Sequence, residues 1–160
     1  MSFSLLRHLG SPKHIRNIYG AYQSSLGSMS SLHRRKYSIY YTDQHETLKI
    51  NGRNIKIGIS DFARESLGDI IFLESECEIG DNVEESEVIY NIESVKATSE
   101  ILSPINGELI TINEELIDNV DLIQDIKEED LWLLEFKWNE IDTNIFMNKE
   151  EYVQFCKTDN

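Results

Sequence analysis

Residues 88–113, "VIYNIESVKATSEILSPINGELITIN", read as three extended runs separated by two turns. In the first run Val88, Tyr90 and Ile92 fall on one face by the two-residue period of extended backbone. "SEILSPI" resumes the extension, and Pro104, which has no N–H, must stand where no ladder donor is required. Asn106-Gly107 suits a tight turn with positive φ, after which "ELITIN" alternates again. Between the first two runs sits "VKA". Lys96 is thereby placed at or near a hairpin tip, exposed and within reach of another protein. It is the only Lys or Arg between Arg64 and Lys127, with 31 residues clear before it and 30 after.

The same patterns continue outward. Leu48 to Ile50, Asn51-Gly52, and then Ile55, Ile57 and Ile59 in alternation predict a β-hairpin. Ser60 or Asp61 can cap a short helix, "DFARESL", with Gly68 ending it in a left-handed conformation. "DIIFLE" is apolar on both faces and predicts a central strand. "EIGDNVEESE" is an acidic loop with a Gly-Asp turn. "LWLLEFKW" would set Trp132, Leu134, Phe136 and Trp138 on one face of a core strand. Asn148 and Glu151 form a capping-box pair ahead of a terminal helix, with Met147 placed to staple onto Tyr152 and with Tyr152, Phe155 and Cys156 on one face. Many short strands with small helices at their edges imply a mostly β sandwich or barrel.

The chain has 160 residues, 40% of them apolar, which suits one domain with a real core plus a tail. Its net charge of −14 divides unevenly. Residues 1–36 hold six bases and no acid; residues 37–160 hold nine bases and all 29 acids, a net −20. So negative a surface repels nucleic-acid backbones and favours partners with basic docking patches. No run is apolar and long enough to span a bilayer, so no membrane role is expected. Cys77 and Cys156 lack metal-type spacing, and no disulfide framework is expected. The basic, serine-rich, acid-free start reads as a mitochondrial transit peptide covering residues 1–37. Arg35 lies three residues before the expected new N-terminus, Ser38, which leaves residues 38–160 as the working domain in the mitochondrial matrix.

Beyond residue 37 the chain has one histidine, His45, and no serine or cysteine in a recognisable nucleophile setting. Its glycines form isolated turns and no phosphate loop. The abundant carboxylates read as a solvated acidic face. These residues support no self-sufficient enzyme and no metal site.

"YTDQHET", "GISDFARESLGD", "GDIIFLE" and "ESVKATSEILSPINGELITIN" occur in that order. Together they resemble the glycine cleavage system H-proteins, the lipoyl carriers of mitochondria and bacteria, from about Tyr41 to about Phe155. "ESVKA" followed by "SP-x-x-GE" is the specific signature. The lipoyl domains of 2-oxoacid dehydrogenases usually have Asp before the lysine, and biotin carriers have Met-Lys-Met. The resemblance implies a lipoyl/biotinyl-like hybrid-motif β-sandwich, the barrel-sandwich hybrid, with short peripheral helices and a C-terminal helix. It implies a monomeric, non-catalytic carrier with lipoate amide-linked to Lys96, where the cofactor carries the hard chemistry.

The partners implied are glycine decarboxylase (P-protein), which loads an aminomethyl group onto the arm; the tetrahydrofolate-dependent aminomethyltransferase (T-protein), which unloads it; dihydrolipoamide dehydrogenase, which reoxidises the dithiol; and lipoate-attaching enzymes. Glu93, Ser94, Val95 and Ala97 become the recognition context around Lys96, because a modifying enzyme must select one lysine by local shape. Glu46, of the His-Glu pair, and Glu100, four residues after the lysine, match acidic residues of the family's arm cleft. They would steady a cationic loaded arm away from water.

The chain departs from the family pattern at three places. Thr47 stands where Trp is common, Ser75-Glu76-Cys77 replaces a Pro-containing loop, and Lys127-Glu128-Glu129-Asp130 replaces Gly-x-Gly. Two other roles stay open at the level of sequence. One is a relay passing lipoyl groups to other enzymes; the other is an unlipoylated interaction module.

Overall fold

The computed structural model describes residues 37–138, 140 and 142–158. Except for Tyr37, the expected transit peptide lies outside the described residues. Strands β1 (Ser38–Tyr41), β2 (Glu46–Asn51) and β3 (Asn54–Ile59) open the domain. Helix α1 (Asp61–Leu67), β4 (Ile70–Ser75), β5 (Asn82–Val83), β6 (Val88–Ser94), β7 (Thr98–Leu102) and β8 (Gly107–Ile112) follow. Helices α2 (Glu114–Asp118) and α3 (Leu122–Asp125), β9 (Leu134–Lys137), a 3-10 turn (Thr143–Ile145) and α4 (Lys149–Thr158) complete it. The larger sheet runs β1-β2-β3-β9-β8-β5 and the smaller β4-β6-β7. Both are antiparallel throughout.

The alternating isoleucines do what their period requires. Leu48, Ile55 and Ile57 of β2 and β3 join Leu109 of β8 and Phe136 of β9 in one core with Leu73, Ile89, Tyr90 and Ile92 of the smaller sheet. Each is at most 1% exposed, so water is excluded between the sheets. The first hairpin turns at Gly52, whose φ of 62° is readily available only without a Cβ. Ser60 caps α1 by accepting from Ala63 N at 3.1 Å. The terminal helix has both arms of its capping box: Asn148 N donates to Glu151 Oε2 at 2.9 Å, and Glu151 N donates to Asn148 Oδ1 at 3.0 Å. Met147 exchanges backbone hydrogen bonds with Tyr41 at 2.9 Å in each direction, so β1 and the start of α4 are tied together.

Several local expectations are corrected. "DIIFLE" forms an edge strand, not a central one. A register shift between Ile70 and Phe72 lets Ile70 and Leu73 both turn inward, and leaves Ile71 and Phe72 outward. Between Val88 and Tyr90 a second shift buries Ile89 beside Tyr90. Asn106-Gly107 is not a positive-φ turn. Gly107 opens β8, and glycine is needed there because a Cβ would lie 2.9 Å from the Lys137 carbonyl. Gly68 has positive φ, 74°, but its ψ of −143° is not left-handed helical. β9 is shorter than "LWLLEFKW". The carbonyls of Leu131 and Trp132 accept from Lys49 Nζ and Asn113 Nδ2, so the ladder begins only at Leu134. Trp132 lies outside it, its ring 4.0 Å from Lys56 Nζ.

Two of the departures from the family pattern meet in space. Thr47 is fully buried on β2, and the carbonyl of Leu131 passes over Gly58, its cross-strand partner, where a Cβ would come within 2.7 Å. The acidic segment 127–130 leads into that crossing. Glu128 accepts from Tyr41 Oη at 2.7 Å, Asp61 N at 2.7 Å and Lys149 Nζ at 2.6 Å, fastening β1, α1 and α4 to one carboxylate.

Candidate functional site

Lys96 stands at the tip of the β6–β7 hairpin, between Ser94 and Thr98, and is exposed. The tip is rigidly built. Ser94 Oγ accepts from Lys96 N at 3.2 Å and Ala97 N at 3.1 Å and donates to the Ala97 carbonyl at 3.0 Å. Ser94 N reaches the same carbonyl at 2.9 Å. Serine suits this position because one hydroxyl both donates and accepts within a turn.

The α1–β4 connection braces the tip from one side. Val95 N donates to the Asp69 carbonyl at 2.9 Å, and Gln124 Nε2 donates to the Gly68 carbonyl at 2.9 Å. The alkyl chain of Lys96 lies across Gly68: a Cβ there would sit 3.1 Å from Lys96 Cε and 3.2 Å from Nζ. Gly68 therefore serves as a helix end and as the floor beneath the lysine. The sequence signalled only the first role, since the second requires two segments 28 residues apart to meet.

The expected recognition residues lie as a hairpin tip demands. Glu93, Val95 and Ala97 face solvent, while Ser94 is buried as the hub of the turn. Glu100 is exposed on β7. Cross-strand pairing aligns Phe72, Glu93 and Thr98 in one row, and Glu74, Asn91 and Glu100 in another. Both rows lie on the outer face of the smaller sheet, opposite the Leu73–Ile92 row that fills the core.

Glu46 lies elsewhere, at the start of β2, and is 5% exposed. The Thr42 hydroxyl donates to its carboxylate, and Glu46 N donates to Thr42 Oγ1 at 3.1 Å. Burial raises its pKa above the usual carboxylate value, with the Thr42 bond opposing. The residue before it, His45, has a φ of 69° and is held from behind. Its Nδ1 is 2.8 Å from Tyr152 Oη, which in turn is 2.6 Å from Ser60 Oγ, while Tyr152 stacks on Tyr41 at 4.3 Å. His45 is thus a joint between the β1–β2 loop and the terminal helix.

Glu46 lines a cavity of about 310 Å³ together with Thr42, Gln44, Ser86, Leu102 and Pro104. Ser86 on its wall also has positive φ, 69°, and donates from N to the Ser103 carbonyl at 2.7 Å. Backbone strain of this kind persists where surrounding structure enforces it. The structure does not bring Lys96, Glu100 and Glu46 into mutual contact. They lie in sequence along one route: Thr98, Glu100 and Leu102 share a face of β7 by alternation, and Leu102 belongs to the cavity wall. Ser86 had no signal in the sequence, and Thr42, although it lies in "YTDQHET", was not marked by any local pattern as the partner of Glu46.

Among the described residues no group of three or more His, Cys, Asp or Glu could hold a metal ion, and no helix is long and apolar enough to cross a membrane.

Comparison with known proteins places these features in a family. Residues 39–159 match the model of the glycine cleavage H-protein family. The chain is 36% identical over 122 residues to the glycine cleavage system H protein of Bacillus pumilus, covering 74% of this chain and 94% of that one. It is 33% identical over 135 residues to a Dictyostelium discoideum protein named probable glycine cleavage system H protein 1, mitochondrial, covering 83% and 92%. The crystal structure of a glycine cleavage system H protein from Mycobacterium marinum superposes with a TM-score of 0.67 at 24% identity, over 76% of this chain and 98% of that one, and shows the same fold.

Proposed function

Because this chain belongs to the glycine cleavage H-protein family, whose members are lipoyl carriers and not enzymes, we propose that Lys96 is its lipoyl attachment point. The observation that carries the proposal is one exposed amine on a braced hairpin tip, with no other Lys or Arg from residue 65 to residue 126. The residues fit the group. The turn fixes where the amine projects, and Gly68 leaves room beneath its alkyl chain. When attached, lipoate supplies the disulfide–dithiol chemistry on which a one-carbon unit from glycine is carried. Its partners in that role are glycine decarboxylase, the tetrahydrofolate-dependent aminomethyltransferase and dihydrolipoamide dehydrogenase.

The chain's own residues position and shelter the arm. From Thr98 to Leu102, β7 spans about 13 Å. An arm laid along its outer face would pass Glu100 toward Leu102, which lines the same cavity as Glu46. Glu100 offers an exposed carboxylate along the way, and Glu46 a buried acceptor at the end, where water is scarce and charge interactions are stronger. Replacing both by Gln should speed hydrolysis of the loaded carrier; an unchanged hydrolysis rate would remove these two residues from the reading.

The acid-free, basic residues 1–36, together with the mitochondrial relative, support import into the mitochondrial matrix, with residues 38–160 as the working domain. N-terminal sequencing of the native protein tests that boundary. Peptide mass spectrometry across residues 91–100 tests the attachment: a lipoyl mass is expected on Lys96. An unmodified Lys96, in cells that lipoylate other acceptors, would refute it.

A further inference from the structure

The outer face of the smaller sheet combines apolar exposure with one sign of charge. Val95 is 63% exposed, Ile71 56% and Phe72 45%, three large apolar side chains around the tip that carries Lys96. The exposure of Ile71 and Phe72 follows from the bulge in β4, which turns two adjacent apolar residues toward water on an edge strand. Cross-strand pairing sets Phe72 beside Glu93, and Glu74 in the row that also contains Glu100. Glu65 and Asp69 flank the approach from α1, and no basic residue but Lys96 lies in residues 65–126.

We propose that Ile71, Phe72 and Val95, rimmed by Glu93, Glu74 and Asp69, form the docking face for the enzyme that acylates Lys96, and that this enzyme presents an apolar depression ringed by Lys or Arg. This rests on Lys96 being the lipoyl attachment point.

Distance selects the occupant. To form the amide, the neutral amine of Lys96 attacks the carbonyl carbon of an activated lipoyl donor such as an acyl adenylate. The C–N bond forms, the bond to the activating phosphate breaks, and the nitrogen gives up its surplus proton to a base. The attaching enzyme must therefore bring its reaction centre within bonding distance of Nζ. Partners that act later meet sulfurs at the far end of the arm and have no such need to cover the tip. A footprint of about 800 Å² centred on Nζ covers neighbouring strands as well as the turn. Val95 adjoins Lys96, and Val95 N is bonded to the Asp69 carbonyl one residue before β4 begins.

Charge excludes a second copy of this chain as the occupant. Two faces carrying Glu74, Glu93 and Glu100 repel, and the working domain as a whole is −20 at neutral pH. A basic rim on the enzyme would be steered toward the same carboxylates. The face joins residues from β4 and β6 that lie about twenty positions apart in the chain, so only the folded domain presents it.

The test uses the unmodified full chain with a lipoate ligase of its own cell, lipoate and ATP, and follows Lys96 acylation by intact mass. The double variant Ile71→Ser with Phe72→Ser should raise KM for the chain at least tenfold with kcat nearly unchanged. Glu93→Arg should raise it severalfold, and added salt should raise the wild-type KM. Val153→Ser, an exposed apolar change on α4, should leave KM as it is. Equal acetylation of Lys96 by a small activated ester in wild type and double variant would show that the amine itself stays accessible. If KM is unchanged in the double variant and in Glu93→Arg, the docking face is refuted while the attachment site stands. If the wild-type chain is not acylated by a ligase that modifies a control lipoyl domain, the carrier reading falls, and the docking face with it.

Discussion

A methyl group on Gly68 would lie 3.1 Å from Cε of Lys96, so the end of α1 is the surface on which this lysine rests. The backbone there has φ 74° and ψ −143°, a combination that residues with a Cβ strongly avoid. Gly68→Ala should therefore cost about 1–3 kcal/mol in stability by backbone strain. It should also displace the Lys96 side chain, lowering its acylation rate. Urea unfolding measures the first effect and intact mass the second. An alanine variant with wild-type values for both would show that neither the strain nor the contact matters.

Ser94 makes three side-chain hydrogen bonds inside the tip. Ser94→Ala leaves the Lys96 and Ala97 amides without that acceptor, at a cost of about 1–3 kcal/mol. Local opening should increase as well. Hydrogen exchange at Lys96 and Ala97 is expected to quicken relative to the Tyr90 and Ile92 amides of the same hairpin, which would stay protected.

Glu46 carries a pH signature of defined sign. Burial raises its folded-state pKa above the ordinary carboxylate value of 4.5, so between the two values the native state holds more protons than the unfolded one. Stability contributed through this group therefore falls as pH rises from about 4.5 through the raised value, then levels off. Glu46→Gln keeps the shape and removes the titration. Its stability relative to wild type should climb across the same window and stay constant above it, as urea midpoints between pH 4 and 8 would show. A pH-independent difference would contradict a buried, titrating carboxylate.

Lys49 behaves in the opposite sense. It is 2% exposed on β2 with its ammonium donating to the Leu131 carbonyl, and burial lowers its pKa to about 8 against the pull of nearby Asp130, Glu128 and Glu129. Between about 8 and 10.5 the unfolded state holds more protons than the native one. Stability through this group thus rises with pH in that range. Lys49→Met removes the titration, so wild-type stability should gain on the variant from pH 8 to 10.5. Paired thermal melts across those pH values read the difference directly.

The terminal helix supplies a simpler case. Asn148→Ala removes one of the two reciprocal capping bonds and should cost about 1 kcal/mol. Because Tyr152 on this helix bonds to His45 and Ser60, the loss should also reach the β1–β2 loop that positions Glu46. Broadening of the Glu46 amide resonance in the variant, with Lys96 unaffected, is the expected result.

Local pattern alone determined much of this protein. The alternation of Ile55, Ile57 and Ile59, the Ser60 cap, the Asn148–Glu151 box and the extended runs flanking Lys96 each depend on neighbours within a few residues, where backbone period and side-chain hydrogen bonding act directly. The lone amine at a hairpin tip was legible for the same reason. Tertiary structure decided the rest. Whether "IIFL" becomes a central or an edge strand depends on which strands come to flank it, and a bulge let both of its outward apolar residues stay exposed. That Gly68 underlies Lys96, that Leu131 closes over Gly58 and Thr47, and that Tyr152 braces His45 are contacts between segments distant in the chain. No local period encodes them; they follow only once two sheets have closed on one core and brought those segments within a few ångströms.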